Sequence, residues 1–251
     1  MKYLVIGDPI AHSQSPEIHQ KIFDYLGLNH TYEKRHVLPA DLEAFIEEVR
    51  KTPEIGGFNV TIPHKTAIMQ YLDEIHANAK TIGAVNTVKI EGNKLVGYNT
   101  DADGFARSLE SENIMIAGKR VKMLGYGGAG KAVACALQNH GASEVLIYDI
   151  QPQSGILPWD EFTSEACDIL INATSVGMKK GETPVANLNG LSPTTAVVDV
   201  IYSPPETEFL KMARELGCQT VNGMGMLVFQ AIRAEEIWNE VEVDDSLWDS
   251  W

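Results

Sequence analysis

The stretch "RVKMLGYGGAGKAVACALQNHGASEVLIYD", Arg120 to Asp149, constrains this chain more than any other. A β-branched run meets the glycines Gly125, Gly127 and Gly130, an alanine-rich helical pattern follows and stops at Gly141, and a second strand-like run closes on an acid. Gly125 to Lys131 also fits the start of a nucleoside-triphosphate loop, but such a loop needs Ser or Thr after its lysine to ligate Mg²⁺, and Ala132 stands there. A dinucleotide turn instead demands an acidic residue about 20 positions beyond the glycines, at the end of the next strand. Asp149 meets that demand. In this reading Gly125 and Gly127 let the backbone approach a pyrophosphate, Gly130 lets the helix pack on its strand, and the amides of Gly128 and Ala129 face the negative charge. Asp149 can accept a hydrogen bond from an adenosine 2'-hydroxyl, whereas it would repel a 2'-phosphate carrying about −1.5 to −2 charges, so NAD is favoured over NADP.

The rest of the chain alternates in the same way. "KYLVIG" reads as a strand, and Ser15 as N-cap, Pro16 at the first helical position and Gly27 past the end bracket a helix. "TYEKRHV" and "GGFNVTIP" read as strands around a helix from Asp41 to Arg50. Two strand-like runs about Gly92-Asn93 predict a hairpin, expected at a sheet edge beside a domain boundary. A helix from about Asp103 to Glu112 precedes the glycine turn; "CDILINAT" and "AVVDVIY" read as buried parallel strands, and Thr207 to Leu216 as a helix stopped by Gly217. The fold class is α/β.

A net charge of −14 with no basic run excludes nucleic acid as the expected partner. No apolar run approaches the ~20 residues that span a bilayer, and "MKYLVIG" is too short for a signal peptide, so the expected location is the cytoplasm. The three cysteines, Cys135, Cys167 and Cys218, fit neither a disulfide framework nor a metal knuckle and are expected to be buried, reduced thiols. His12 and His19 lack the HxxxH spacing with a carboxylate that a metal or catalytic site would use, and His64 lies beside Lys65 without a visible partner.

Three motifs in the first hundred residues are polar where a core would be apolar. "HSQSP" sets Ser13 and Ser15 at a helix entry, which reads either as a carboxylate site or as an ordinary N-cap. "NVTIPHK" puts Asn59 and Thr61 on one strand face with Lys65 a turn later. "GAVNTV" and "GYNTD" offer Asn86, Asn99, Thr100 and Asp101, residue types equally common in turns for local reasons. Together with "GYGGAGKA", "NATSVGM", "DVIY" and "GMGMLVFQA", these segments resemble the shikimate dehydrogenase family across nearly the whole chain.

The resemblance implies an N-terminal α/β substrate domain, residues 1–100 completed by C-terminal helices 224–251, and a Rossmann dinucleotide-binding domain at 101–223, with the active site in the interdomain cleft. It implies reversible hydride transfer between a nicotinamide dinucleotide and shikimate, giving 3-dehydroshikimate on the path to chorismate. Carried over by position, Lys65 and Asp101 match the catalytic pair. Ser13 and Ser15 match the carboxylate-binding serines; Thr61, Asn86 and Gln230 the hydroxyl-binding positions; Tyr202 the residue closing on the substrate. Gly125, Tyr126, Gly127, Gly128, Ala129, Asp149, Thr174, Val200 and Gly223 match positions lining NAD or NADP. The expected partner is a small-molecule acid, with no nucleic acid, no membrane, and a homodimer left open.

Two departures stand out. Members using NADP place Asn-Arg-Thr where this chain has Tyr148, Asp149 and Ile150. The segment from Gln151 to Ala166, broken by Pro152, Gly155 and Pro158, is too short for the helix usual there. The alternatives are an NAD-dependent quinate/shikimate dehydrogenase and a noncatalytic shikimate-binding sensor, the latter disfavoured by the presence of both Lys65 and Asp101.

Overall fold

β-Branched runs of the sequence become the strands of two six-stranded sheets in the computed structural model, which describes residues 1–251. The chain divides into two compact units, Met1–Asp101 with Val228–Trp251, and Ala102–Leu227.

In the first unit the elements are β1 (Lys2–Gly7), α1 (Ser15–Leu26), β2 (Thr31–His36), α2 (Leu42–Arg50), β3 (Ile55–Val60), α3 (His64–Ala67), β4 (Glu74–Ile75), α4 (Ala77–Ile82), β5 (Thr87–Glu91) and β6 (Lys94–Tyr98). The sheet order is β2-β1-β3-β5-β6-β4, with β1 parallel to both neighbours and β3, β5 and β6 antiparallel in turn. Successive side chains of β1 alternate between faces. Leu4 and Ile6 join Phe45, Ile46 and Val49 of α2 in one core, while Tyr3 and Val5 join Phe23 of α1 and Trp238 in another.

Two sequence expectations change here. The hairpin is not an edge, because the two-residue β4 pairs parallel with β6 outside it. Ser15 is not the N-cap of α1: Gln14 holds that position, and the Ser15 side chain is turned to polar neighbours instead.

The second unit contains α5 (Asp101–Ser111, beginning on the last residue of the first unit), β7 (Arg120–Leu124), α6 (Gly128–Asn139), β8 (Glu144–Asp149), β9 (Leu157–Pro158), β10 (Ile169–Asn172), β11 (Ala196–Asp199), α7 (Glu208–Glu215) and β12 (Gln219–Val221). Then α8 (Met224–Asn239) leads back to the first unit. Its sheet is wholly parallel, ordered β12-β11-β10-β7-β8-β9. That is the doubly wound dinucleotide-binding order, and the direction of winding switches between β7 and β10. No long helix joins β8 to β9; a turn does, followed by a single helical turn at Trp159–Glu161. The buried Lys122 anchors this shortened stretch, donating to the Thr163 carbonyl at 2.7 Å and its hydroxyl at 3.1 Å.

Cys135 and Cys218 are buried and Cys167 is half-buried, all three as free thiols. Burial pushes each thiol up, that of Cys167 to about 11, so they are poor nucleophiles at neutral pH. No helix is long and apolar enough to cross a membrane.

Candidate active site

The first unit gathers most of its buried polar side chains where β3, β5, α3 and the start of α5 meet α8. Lys65, on the short α3 that follows Pro63, points its ammonium at Asp101, the first residue of α5, with Nζ to Oδ2 at 2.5 Å. Their side chains are 15% and 7% exposed, so water screens this pair far less than a surface ion pair. The other carboxylate oxygen, Oδ1, accepts from Asn86 Nδ2 at 2.8 Å, and the Asp101 amide donates to Asn99 Oδ1 at 3.1 Å. Asn86 Oδ1 accepts from the Thr100 amide at 2.8 Å, which fixes the orientation of the Asn86 amide group and leaves Nδ2 as the donor to Asp101. Gln230 Oε1 lies 3.4 Å from both Asn86 Nδ2 and Thr100 Oγ1. The structure thus brings Lys65, Asn86, Asp101 and Gln230 into one network.

Ser13 and Ser15 lie at the entry of α1, where Ser13 Oγ donates to Ser15 Oγ at 3.1 Å and accepts from the Ser15 amide at 3.2 Å. Thr61 follows β3, half-buried, with its backbone amide on the Ile6 carbonyl at 2.9 Å. Tyr202 follows β11 in the second unit; burial raises its hydroxyl above the ordinary tyrosine value.

The glycine turn of the second unit sits at the carboxyl end of β7, beside the switch point. Gly125 has φ +96°, and a Cβ there would lie 2.6 Å from Thr174 Cγ2. A Cβ on Gly130 would lie 2.4 Å from the Gly125 carbonyl oxygen, so only glycine permits this approach of helix to strand. At Gly127 the corresponding space is open, with nothing within 4 Å, and no side chain caps the first turn of α6. The amides of Gly128 and Ala129 therefore lie in the part of the helix where positive dipole collects. These residues fit a dinucleotide pyrophosphate.

Asp149 ends β8 and grips the turn: Oδ2 accepts from the Tyr126 amide at 2.7 Å and Oδ1 from the Gln151 amide at 2.8 Å. Across the switch point, Asn172 Oδ1 accepts from both the amide and the hydroxyl of Thr174, holding that loop rigid. Gly223 packs on the Val200–Ile201 backbone, its amide on the Ile201 carbonyl at 3.0 Å. From Ala132 to Met178 the chain has neither Lys nor Arg.

Residues 5–88 match the family model described as the shikimate dehydrogenase substrate binding domain. A shikimate dehydrogenase (NADP(+)) of Desulfitobacterium hafniense is 42% identical over 95% of this chain and 92% of that relative. The chain belongs to the shikimate dehydrogenase family. Among solved members, the Thermus thermophilus shikimate 5-dehydrogenase in complex with NADP(H) and shikimate superposes with a TM-score of 0.91 at 33% identity, covering 100% of this chain and 97% of that one. The Listeria monocytogenes shikimate 5-dehydrogenase, in complex with shikimate and NAD, gives 0.88 at 32% identity over 99% and 95%.

Three buried polar groups next to the site have partners that the local sequence does not reveal. Tyr32 donates to Asn59 Oδ1 at 2.6 Å; His19 pairs with Glu235; and His64, read as lacking a partner, bonds the Val37 carbonyl through Nε2 at 2.7 Å. Each partner lies 27 residues or more away in sequence, where no local pattern reports it.

Proposed function

We propose that the protein catalyses the reversible oxidation of shikimate to 3-dehydroshikimate with a nicotinamide dinucleotide, within chorismate biosynthesis. The observation that carries this reading is the Lys65–Asp101 pair, 2.5 Å apart, inside a network of groups suited to ring hydroxyls. When bound, the dinucleotide supplies the hydride acceptor. Oxidation also releases the hydroxyl proton, which needs an acceptor within hydrogen-bond reach. Lys65 and Asp101 take that proton between them, and in the reverse direction the Lys65 ammonium returns it to the forming alkoxide. Asp101, opposite in charge, favours the protonated lysine, while exclusion of water opposes it.

Ser13 and Ser15 hold the acid's carboxylate; Thr61, Asn86 and Gln230 bind its hydroxyls, and Tyr202 closes on it. Gly125, Tyr126, Gly127, Gly128, Ala129, Thr174, Val200 and Gly223 line the dinucleotide. Asp149 makes NAD the preferred cofactor: its carboxylate sits beside the glycine turn, and the stretch without Lys or Arg offers nothing to neutralise a 2'-phosphate. Curated relatives carry NADP(+) in their names, whereas the Listeria complex holds NAD, so the family frame accommodates either.

The test is turnover of shikimate and of quinate, each with NAD and with NADP. The expected result is shikimate oxidation with NAD at least tenfold more efficient than with NADP, about 1.4 kcal/mol of discrimination. Inactivity with both cofactors and both acids would remove the enzymatic reading. Preference for quinate would move the substrate, and preference for NADP would overturn the role of Asp149.

A further inference from the structure

Thr87 opens β5 directly opposite Asn59 of β3 in the antiparallel register, so the two side chains share one face of the sheet. Both are buried, and Thr87 has no exposed surface, so its hydroxyl meets protein groups alone. The residue before it, Asn86, carries the amide group that donates to Asp101 Oδ1 at 2.8 Å. The orientation of that amide decides whether the carboxylate meets a donor or a second oxygen.

The bonds around Thr87 impose a direction on its hydroxyl. A backbone carbonyl only accepts, so the contact of Asn59 with the Asn86 carbonyl at 3.1 Å is made by the Asn59 nitrogen, Nδ2. The same nitrogen donates to Thr87 Oγ1 at 2.9 Å, and Asn59 Oδ1 accepts from the buried Tyr32 hydroxyl at 2.6 Å. Thr87 Oγ1 is thereby an acceptor toward Asn59, and its single proton goes to another partner. Asn86 Oδ1, at 3.0 Å, is nearer than Thr100 Oγ1, at 3.2 Å, and can only accept. With that oxygen held by Thr87 and by the Thr100 amide at 2.8 Å, Asn86 presents Nδ2 to Asp101. A row of donors runs in one sense from Tyr32 through Asn59, Thr87 and Asn86 to the carboxylate that Lys65 bonds.

We infer that Thr87 is a positioning residue for the Lys65–Asp101 pair, its hydroxyl holding Asn86 in the orientation that donates to Asp101. The inference rests on the proposed roles of Asn86, Lys65 and Asp101. Thr87→Val keeps the branched shape and removes the hydroxyl, leaving the Asn86 oxygen with donors from Thr100 alone. It is expected to lower kcat/KM for shikimate about tenfold, with the KM of the dinucleotide within about twofold of the wild type. Thr87→Ser, which restores the hydroxyl, is expected to recover kcat/KM to within about threefold of the wild type. In an Asn86→Ala background, Thr87→Val is expected to change kcat/KM by less than about twofold, because its route to Asp101 is gone. In a crystal structure of unliganded Thr87→Val, Asn86 Nδ2 is expected beyond hydrogen-bond reach of Asp101 Oδ1, and back within it in Thr87→Ser. An unchanged kcat/KM in Thr87→Val overturns the inference, as does an equal loss in Thr87→Ser, full multiplication of the Thr87→Val and Asn86→Ala effects, or an Asn86 that has not moved. If Asn86→Ala fails to fold, the recovery in Thr87→Ser and the two crystal structures decide. A wild type that does not turn over shikimate counts against the proposed reaction, and the position of Asn86 in the unliganded variants still decides the role of Thr87.

Discussion

Lys65→Ala is expected to lower kcat for shikimate about 10³-fold while shikimate binding stays within about threefold of the wild type. The asymmetry follows from where the side chain sits. Its ammonium bonds Asp101 Oδ2, whereas Ser13 and Ser15, proposed to hold the carboxylate, bond each other, and Asn86 and Gln230 bond within their own network. After truncation Asp101 keeps its bond from Asn86 and its backbone bond to Asn99, so the network that would hold the ring hydroxyls survives. What disappears is the group proposed to take up or return the proton as the carbon–hydrogen bond breaks or forms. Calorimetry with shikimate and steady-state rates with the dinucleotide measure the two halves separately. A loss that falls equally on binding and on kcat would make Lys65 a binding residue only.

Asp149→Asn is expected to shift the ratio of kcat/KM for NADP over NAD by about 100-fold toward NADP, on the order of 3 kcal/mol. A carboxylate and a 2'-phosphate within a few ångströms repel one another by that order at the dielectric of a protein surface. Asparagine retains one oxygen for the Tyr126 or Gln151 amide, so the turn keeps part of its clamp. The NAD rate is expected to fall by severalfold, as the ribose hydroxyl loses a charged acceptor. Parallel kcat/KM measurements with both cofactors check this, and an unmoved ratio would place selectivity elsewhere.

How far the residues alone led depends on the range of the contacts involved. The glycine turn and its acid were legible because strand, turn, helix and strand follow one another from Arg120 to Asp149, and the steric reasons for Gly125 and Gly130 act within that segment. The helix missing after β8 was legible for a similar reason, since Pro152, Gly155 and Pro158 break any helical run there. The position of the hairpin within its sheet was not, because the strand beyond it, β4, is only Glu74–Ile75 and exists through pairing with β6. Ser15 read as a cap because Pro16 follows it; the preceding turn instead puts Gln14 at the cap and turns the serine toward Ser13. The pairing of His19 with Glu235 joins residues 216 positions apart and depends on α1 and α8 lying over the same face of the sheet. Resemblance to a family supplied the roles of Lys65 and Asp101, which spacing by itself left as a lysine after a strand and an acid at a helix start.

A crystal structure of the protein with shikimate and its dinucleotide bound decides whether the proton path runs through Lys65 and Asp101. The expected result is a shikimate hydroxyl within hydrogen-bond distance of both Lys65 Nζ and an Asp101 oxygen, with the carboxylate at Ser13 and Ser15. A ring bound elsewhere, with Lys65 and Asp101 bonded only to each other and to solvent, would contradict it.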